Sequence, residues 1–431
     1  MREYRQDAVQ TTRQELIERL ERYMPDTDQR AYYRWALSDR NPDRKLFSRI
    51  IALTQLGNLT AAMLTGLQGR DDWPILLRHA IPVNLYQIFE VVSDNLGIGL
   101  AAVRSDEQSD VRDLVLEFNA VAADDLRHPT GRPATELLAD LRPHSAHISS
   151  FDQSLTSRYQ AQLVDRYLAT TRLRLARGVL ERTVWSGLVA NLESGRDVLA
   201  AIAGTRGEPL VRAKTVERYR AVDRTLLAQY LSRDDLVDTG RQAILVAPTL
   251  GYFATVFGEI SHTDPGYLET LADGTLVAAF DTASLIVRLQ NDIGTPLLLM
   301  SRQQRSALVQ TLRLSFAVVD THTAIDLLTR AADHPVLNRF RKDLLNGEFN
   351  ICLYDLYRID DIDEGLAAFM DGLDYFADLY ARHRTLLHQQ LDDLDCRLHD
   401  RRITEVTRRF VAFHEKLYSH RYDTLVGDYA I

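Results

Sequence analysis

The stretch Phe280 to Met300, FDTASLIVRLQNDIGTPLLLM, constrains the fold most. Its apolar residues recur at helical spacing and run straight into Asn291, Asp292 and Thr295, so a buried helix has to accommodate a polar cluster on one stripe. On a continuous helix of 3.6 residues per turn, positions four apart stand nearly above one another, and the Asn291 amide and Thr295 hydroxyl would face one point in a cavity. The bland alternative is an Asn and a Thr that hydrogen-bond within a helical core, and this stretch alone does not choose between them.

The same period governs the rest of the chain. Runs such as TTRQELIERLERYM, LFSRIIALTQLGNLTAAMLTGL and SRYQAQLVDRYLATTRLRLARGVLERTVWSGLVANL are amphipathic, with breaks at Pro25, Pro42 and the RDDWP corner. No strand alternation, Gly-rich phosphate loop, Ser-His-Asp order or solenoid repeat interrupts them, so the fold expected is all-α. We expect residues 1–80 to form an N-terminal helical segment packed on a main helical unit over 81–431. A formal net charge of −9 argues against a nucleic-acid partner, which needs Lys and Arg to neutralise phosphates. No apolar run reaches the roughly 20 residues of a membrane span, and MREYRQDAVQ carries no apolar signal region, so the default expectation is cytoplasmic. Two cysteines, Cys352 and Cys396, are too few for a disulfide framework.

Acidic groups recur in helical context. The stretch IPVNLYQIFEVVSDNLGIGLAAVR starts at a Pro suited to a first helical turn and places Glu90 and Asp94 four apart, with Tyr86 and Phe89 beside them. That is either a metal site in an apolar cavity or a helix edge that meets water. The literal DDLVD from Asp234 to Asp238 could bridge magnesium ions, but acidic residues also favour the first turn of a helix. The cluster Asp360, Asp361, Asp363 and Glu364 reads as an N-cap. Between them, Arg241 precedes Pro248, Gly251, Tyr252 and Phe253, where the sequence predicts a helix break that exposes carbonyls to a cavity.

Together these pieces resemble the class I terpene synthase family, as a divergent bacterial-type member, over roughly residues 80–431. Asn291, Asp292 and Thr295 match the first part of the family's N-D-x-x-S/T-x-x-x-E metal motif, while Leu299 stands where its Glu belongs. KDLLNGEFNICLY, from Lys342, resembles what normally follows that motif, which makes about 300–340 an insertion and Asp343 the displaced third ligand. Arg241, 50 residues before Asn291, resembles the diphosphate-sensing Arg, and HRYDT, with Arg421 and Tyr422, resembles the closing Arg-Tyr pair. The degenerate first acidic motif falls on Asp94 and Glu90.

The resemblance implies an α-helical bundle around a central apolar cavity. It also implies Mg2+ held by Asp94, Glu90, Asn291, Thr295 and Asp343, and a C15 or C20 prenyl diphosphate as the small-molecule substrate. Arg241, Arg288 and Arg421 would neutralise the diphosphate as it leaves, Tyr422 would close over it, and the carbocation would cyclise to a hydrocarbon or alcohol among Tyr86, Phe89, Trp185, Gly251, Tyr252 and Phe253. The oligomeric state stays open, a homodimer included. Two alternatives stand beside this reading: a trans-prenyltransferase using Asp234–Asp238 and Asp360–Asp363, and a helical scaffold that has lost metal binding.

Overall fold

Every regular element among the described residues is a helix, as the apolar period predicts. The computed structural model describes residues 1–25, 27–67, 72–96, 109–148, 157–173, 175–182, 184–227, 231–317, 321–337 and 339–420. No single described helix is long and apolar enough to cross a membrane.

Thr275–Ile293 is the central helix. Fourteen of its nineteen residues are buried, and it packs against the helices Arg233–Gln242, Val246–Thr255, Ile362–Arg397 and Arg402–Leu417. A helix apolar on most of its circumference has to sit in the middle of such a ring. The N-terminal helix Arg2–Tyr23 packs on Leu53–Leu64, and its Tyr23 hydroxyl donates to Asp197 at 2.6 Å, which fastens it to Val184–Ala200. The helix Trp73–Leu96 runs through residue 80, so the boundary drawn there falls inside an element. Residues 300–340 supply the helices Arg302–Phe316 and Ala324–Arg330, both laid against Ile362–Arg397.

Three local expectations are corrected. The helix carrying Glu90 and Asp94 begins at Trp73, not at Pro82, and continues through that proline. Pro82 has no N–H to give, and the Tyr252 hydroxyl donates to the carbonyl of His79 beside it, at 2.8 Å. The break expected over Pro248–Phe253 lies earlier, at 243–245, where the axis bends by 44° between Arg233–Gln242 and the following helical segment. Pro248 sits in the first turn of Val246–Thr255, where a missing N–H is tolerated. It leaves the Ile244 carbonyl without the donor four residues on that a continuous helix would supply. Finally, Asn291 and Thr295 do not share a helix. The central helix ends at Ile293, because Gly294 takes φ 91°, ψ 139°, and a new short helix starts at Thr295. A side chain at 294 would be strained by that positive φ, and its Cβ would come within 2.9 Å of Arg339.

The two acidic runs start helices. Ser232 and Asp235 form a capping box for Arg233–Gln242, and Asp361 accepts from the backbone N–H groups of Asp363 and Glu364 at 2.9 and 2.8 Å.

Asp264 fixes where the last helix begins. Fully buried, its carboxylate accepts from Gly266 N–H at 2.8 Å to cap Pro265–Ala272, and from His399 and Asp400 N–H at 3.0 and 2.8 Å in the turn before Arg402–Leu417. Asp264→Ala removes a cap and strands two further N–H groups, an expected loss of about 3 kcal/mol in unfolding free energy by urea titration. A loss below about 1 kcal/mol would show that the turn does not depend on it.

Candidate functional site

A cavity of about 510 Å³ opens beside the central helix, a size suited to a small ligand. Its wall joins polar residues from several segments. Glu90, Asp94 and Asn95 come from Trp73–Leu96, Arg218 from Glu208–Leu227, Arg288 and Asn291 from the central helix, and Arg339, Lys342, Asp343 and Glu348 from the segment beyond the 300–340 helices. Apolar wall is supplied by Leu56, Leu59, Val222, Leu226, Ile244, Leu245, Phe410, Phe413 and Leu417. The bend at 243–245 therefore does border a cavity, though its neighbour Arg241 does not. Among the described residues the lining holds seven basic side chains, counting Arg5, Arg49 and Lys416, against four acidic ones. A cationic basin inside a chain of net charge −9 marks the place for an anion.

The polar wall is built on a buried ion pair. Arg288 donates through Nε and Nη2 to Asp292 at 3.0 and 2.8 Å, and the same carboxylate accepts from the Ile351 N–H at 3.0 Å. Arg288 also stacks on Phe349, with its guanidinium carbon 5.4 Å from the ring centre. Asn350 then donates to the Asp292 carbonyl at 2.8 Å and to Asp343 at 2.6 Å, which presents Asp343 to the cavity. Arg339 clamps Asn291, donating to its backbone carbonyl at 2.9 Å and its amide oxygen at 2.7 Å, and stacks on Tyr418 at 4.6 Å. Lys342 lies 3.4 Å from Asp343 and pairs with Glu348, while Arg218 pairs with Glu90.

Two carboxyl groups are electrically unusual. Desolvation among protein atoms raises Asp94 above the ordinary carboxylate range; Lys342 and Arg288 pull it back, and Glu348 pushes it further. Its surface is open, but to the cavity. Desolvation likewise pushes Asp343 up to about 7, against the pull of Lys342 and Arg339 and with the repulsion of Glu348 and Asp292. His414, on the apolar side, is held down to about 4 by burial and is neutral at pH 7.

Of the metal-site residues expected from the sequence, the structure brings Glu90, Asp94, Asn291 and Asp343 to this one cavity, with Arg288 beside them. Thr295 lies elsewhere. Its hydroxyl donates to the Glu415 carbonyl at 2.8 Å and its N–H to that of Tyr418 at 3.3 Å, so it splices the Gly294 turn to the last helix. Among the described residues no group of three or more His, Cys, Asp or Glu is gathered closely enough to hold a metal ion.

Arg241 pairs with Asp238 at 2.7 Å and Asp281 at 3.2 Å, away from the cavity. The expected aromatic wall is core instead. Phe89 packs against Tyr23 and Tyr33, Tyr86 donates to Tyr219, and Trp185 donates to the Leu138 carbonyl. Tyr252 and Phe253 are buried against each other, and Gly251 faces Val211 and Leu210. Large rings bury more apolar area in a core than on a cavity wall, and the rings lining this cavity are Phe349, Phe410, Phe413 and Tyr418. Neither acidic run, 234–238 or 360–364, lines it. Arg421 and Tyr422 lie outside the described residues.

The sequence reading passed over Arg218, Arg339 and Glu348. Arg218 had a signal: Val211, Thr215, Arg218, Val222 and Leu226 recur at spacings of three and four, so an Arg occupies an inward position of an otherwise apolar stripe. Compared with known proteins, the chain matches no family model, no curated protein and no solved structure.

The Asp343 shift has a sign that can be measured. With a folded value of about 7 against about 3.9 in an unfolded chain, the folded state holds a proton that the unfolded state has released. That contribution is present below the unfolded value and disappears as pH rises through the folded one. Stability of the wild type should therefore fall relative to Asp343→Asn between pH 4.5 and 7.5 in urea titrations. Parallel pH profiles for the two proteins would place Asp343 in an ordinary carboxylate environment.

Proposed function

We propose that the cavity binds an allylic prenyl diphosphate of C15 or C20 length and ionises it, as a class I terpene synthase does, the carbocation then cyclising to a terpene hydrocarbon or alcohol. The observation that carries this reading is a single cavity that combines a cluster of basic side chains set among carboxylates with an extensive apolar wall. A ligand with a polyanionic head and a hydrocarbon tail is complementary to both parts. The reading gains from the likeness of N291-D292-x-x-T295 and of the KDLLNGEFN segment to that family's metal motif, since both likenesses fall on the cavity wall or its supports.

The chemistry follows from the charges. Arg288, Arg339 and Lys342 stabilise the negative charge that builds on the diphosphate as the allylic C–O bond breaks. Phe410 and Phe413 offer π faces to the cation left behind, and the surrounding Leu56, Leu59, Leu226 and Leu417 keep water from it. The Ile244 carbonyl, deprived of its helical donor by Pro248, adds a negative dipole at the bend that borders the cavity.

The Mg2+ that the resemblance implies fits at Asp94 and Asp343. Both present hard carboxylate oxygens to the cavity, and both are held above the ordinary range by desolvation, which a further positive charge would relieve. Asn291 and Thr295 fit less well, because their oxygens already serve Arg339 and the Glu415 carbonyl. Bound there, the metal would supply electrostatic stabilisation of the leaving diphosphate.

One observation favours a second reading, a binding protein with the same ligand and no turnover: Asn291, Thr295 and Arg241 all spend their polar atoms on holding the chain together.

Incubation with Mg2+ and allylic diphosphates of C15 and C20 length is expected to release diphosphate and give cyclic products by gas chromatography and mass spectrometry. Asp94→Ala should lower turnover about a hundredfold or more while leaving cooperative unfolding intact. Chain elongation that requires isopentenyl diphosphate would turn the assignment toward a prenyltransferase. Binding without any product would select the second reading.

A further inference from the structure

Arg218 has more donors than its surroundings satisfy. It is 4% exposed and lines the cavity, and its Nη2 pairs with Glu90. Its guanidinium carbon lies 5.1 Å from the ring centre of Tyr219, the next residue. The remaining polar atoms, Nε and Nη1, are buried, and no atom among the described residues accepts from them. Asp223 feels the Arg218 charge but takes its hydrogen bond from Asn119 at 2.7 Å.

A guanidinium cannot shed its proton to escape this situation, so the desolvated donors carry a standing cost of about 1–3 kcal/mol each. Buried donors are seldom left so, and one on a cavity wall points to something that enters the cavity and accepts from it. The neighbouring cations differ. Arg288 and Arg339 spend their charge on Asp292 and Asn291, where they hold the fold. Glu90 and Asp94 stand one turn apart on one helix face, roughly 6 Å between their Cβ atoms. Arg218, paired to Glu90, is therefore adjacent to the carboxylate that the proposed function places at the diphosphate.

We propose that Arg218 is the side chain that grips the anionic head of the ligand, through the donors Glu90 leaves free, and that Glu90 is the anion that holds the guanidinium in place until the ligand arrives. This rests on the reading of the cavity as a diphosphate site. It adds a binding residue outside the segments that resemble the terpene synthase motifs, and it gives Glu90 a positioning task in place of metal ligation.

The test is calorimetric titration of the full chain with inorganic pyrophosphate, with and without Mg2+. Arg218→Gln, where it folds, is expected to bind at least about tenfold more weakly than wild type. Glu90→Gln keeps a hydrogen-bond acceptor beside Arg218 but removes the competing negative charge, so it should bind pyrophosphate several-fold more tightly. Arg218→Gln that folds and binds like wild type overturns the proposal. Should that variant fail to fold, Glu90→Gln decides, and an affinity unchanged or weakened overturns the proposal while leaving the cavity reading intact. A wild type that binds pyrophosphate under neither condition overturns both.

Discussion

The site depends on the ion pair between Arg288 and Asp292. Both side chains are nearly sealed from solvent, at 9% and 1% exposure, and a pair this deep is costly to break because removing one partner abandons the other, at about 3–5 kcal/mol. Its value lies in what it positions. The Asp292 carboxylate also receives the Ile351 N–H, Arg288 reaches the Phe349 carbonyl, and Asn350 between them ties Asp292 to Asp343. One helical turn thus sets the position of a segment about sixty residues further along the chain, and with it one side of the cavity.

Pairing is the general state of the charges here. Glu90 has Arg218, Asp343 and Glu348 share Lys342, and Asn291 is clamped by Arg339. Such an arrangement keeps an internal cavity from accumulating unbalanced charge, while the excess of basic over acidic residues leaves a field that an incoming anion would feel. Ligand binding in such a place is an exchange of partners, in which the ligand's oxygens replace carboxylates that were stand-ins for them.

Much of the architecture could be read from periodicity alone, because helical spacing survives any tertiary arrangement: the all-α class, the buried central helix and the capping role of Asp361 all follow from it. The polar cluster at Asn291 was visible for the same reason, as polar residues on an apolar stripe. What escaped was tertiary. Gly294 turns the chain where a helix pattern runs on, so Thr295 faces the last helix and not the stripe of Asn291. Tyr86, Phe89 and Trp185 read equally well as cavity wall or core, and only packing against Tyr23, Tyr219 and Leu138 decides. Arg339 and Lys342 lie across the inserted helices from Asn291, a separation that no local pattern bridges.

The cavity wall also reaches from Arg5 in the first helix to Tyr418 past the last, with contributions from nearly every region between. No fragment of this chain can contain it. The lining is a product of contacts between residues hundreds of positions apart, the kind whose loop-closure entropy is recovered last during folding. The cavity then comes into being only with the completed fold, and whatever fills it adds its binding free energy to the stability of the whole chain, not to one part of it.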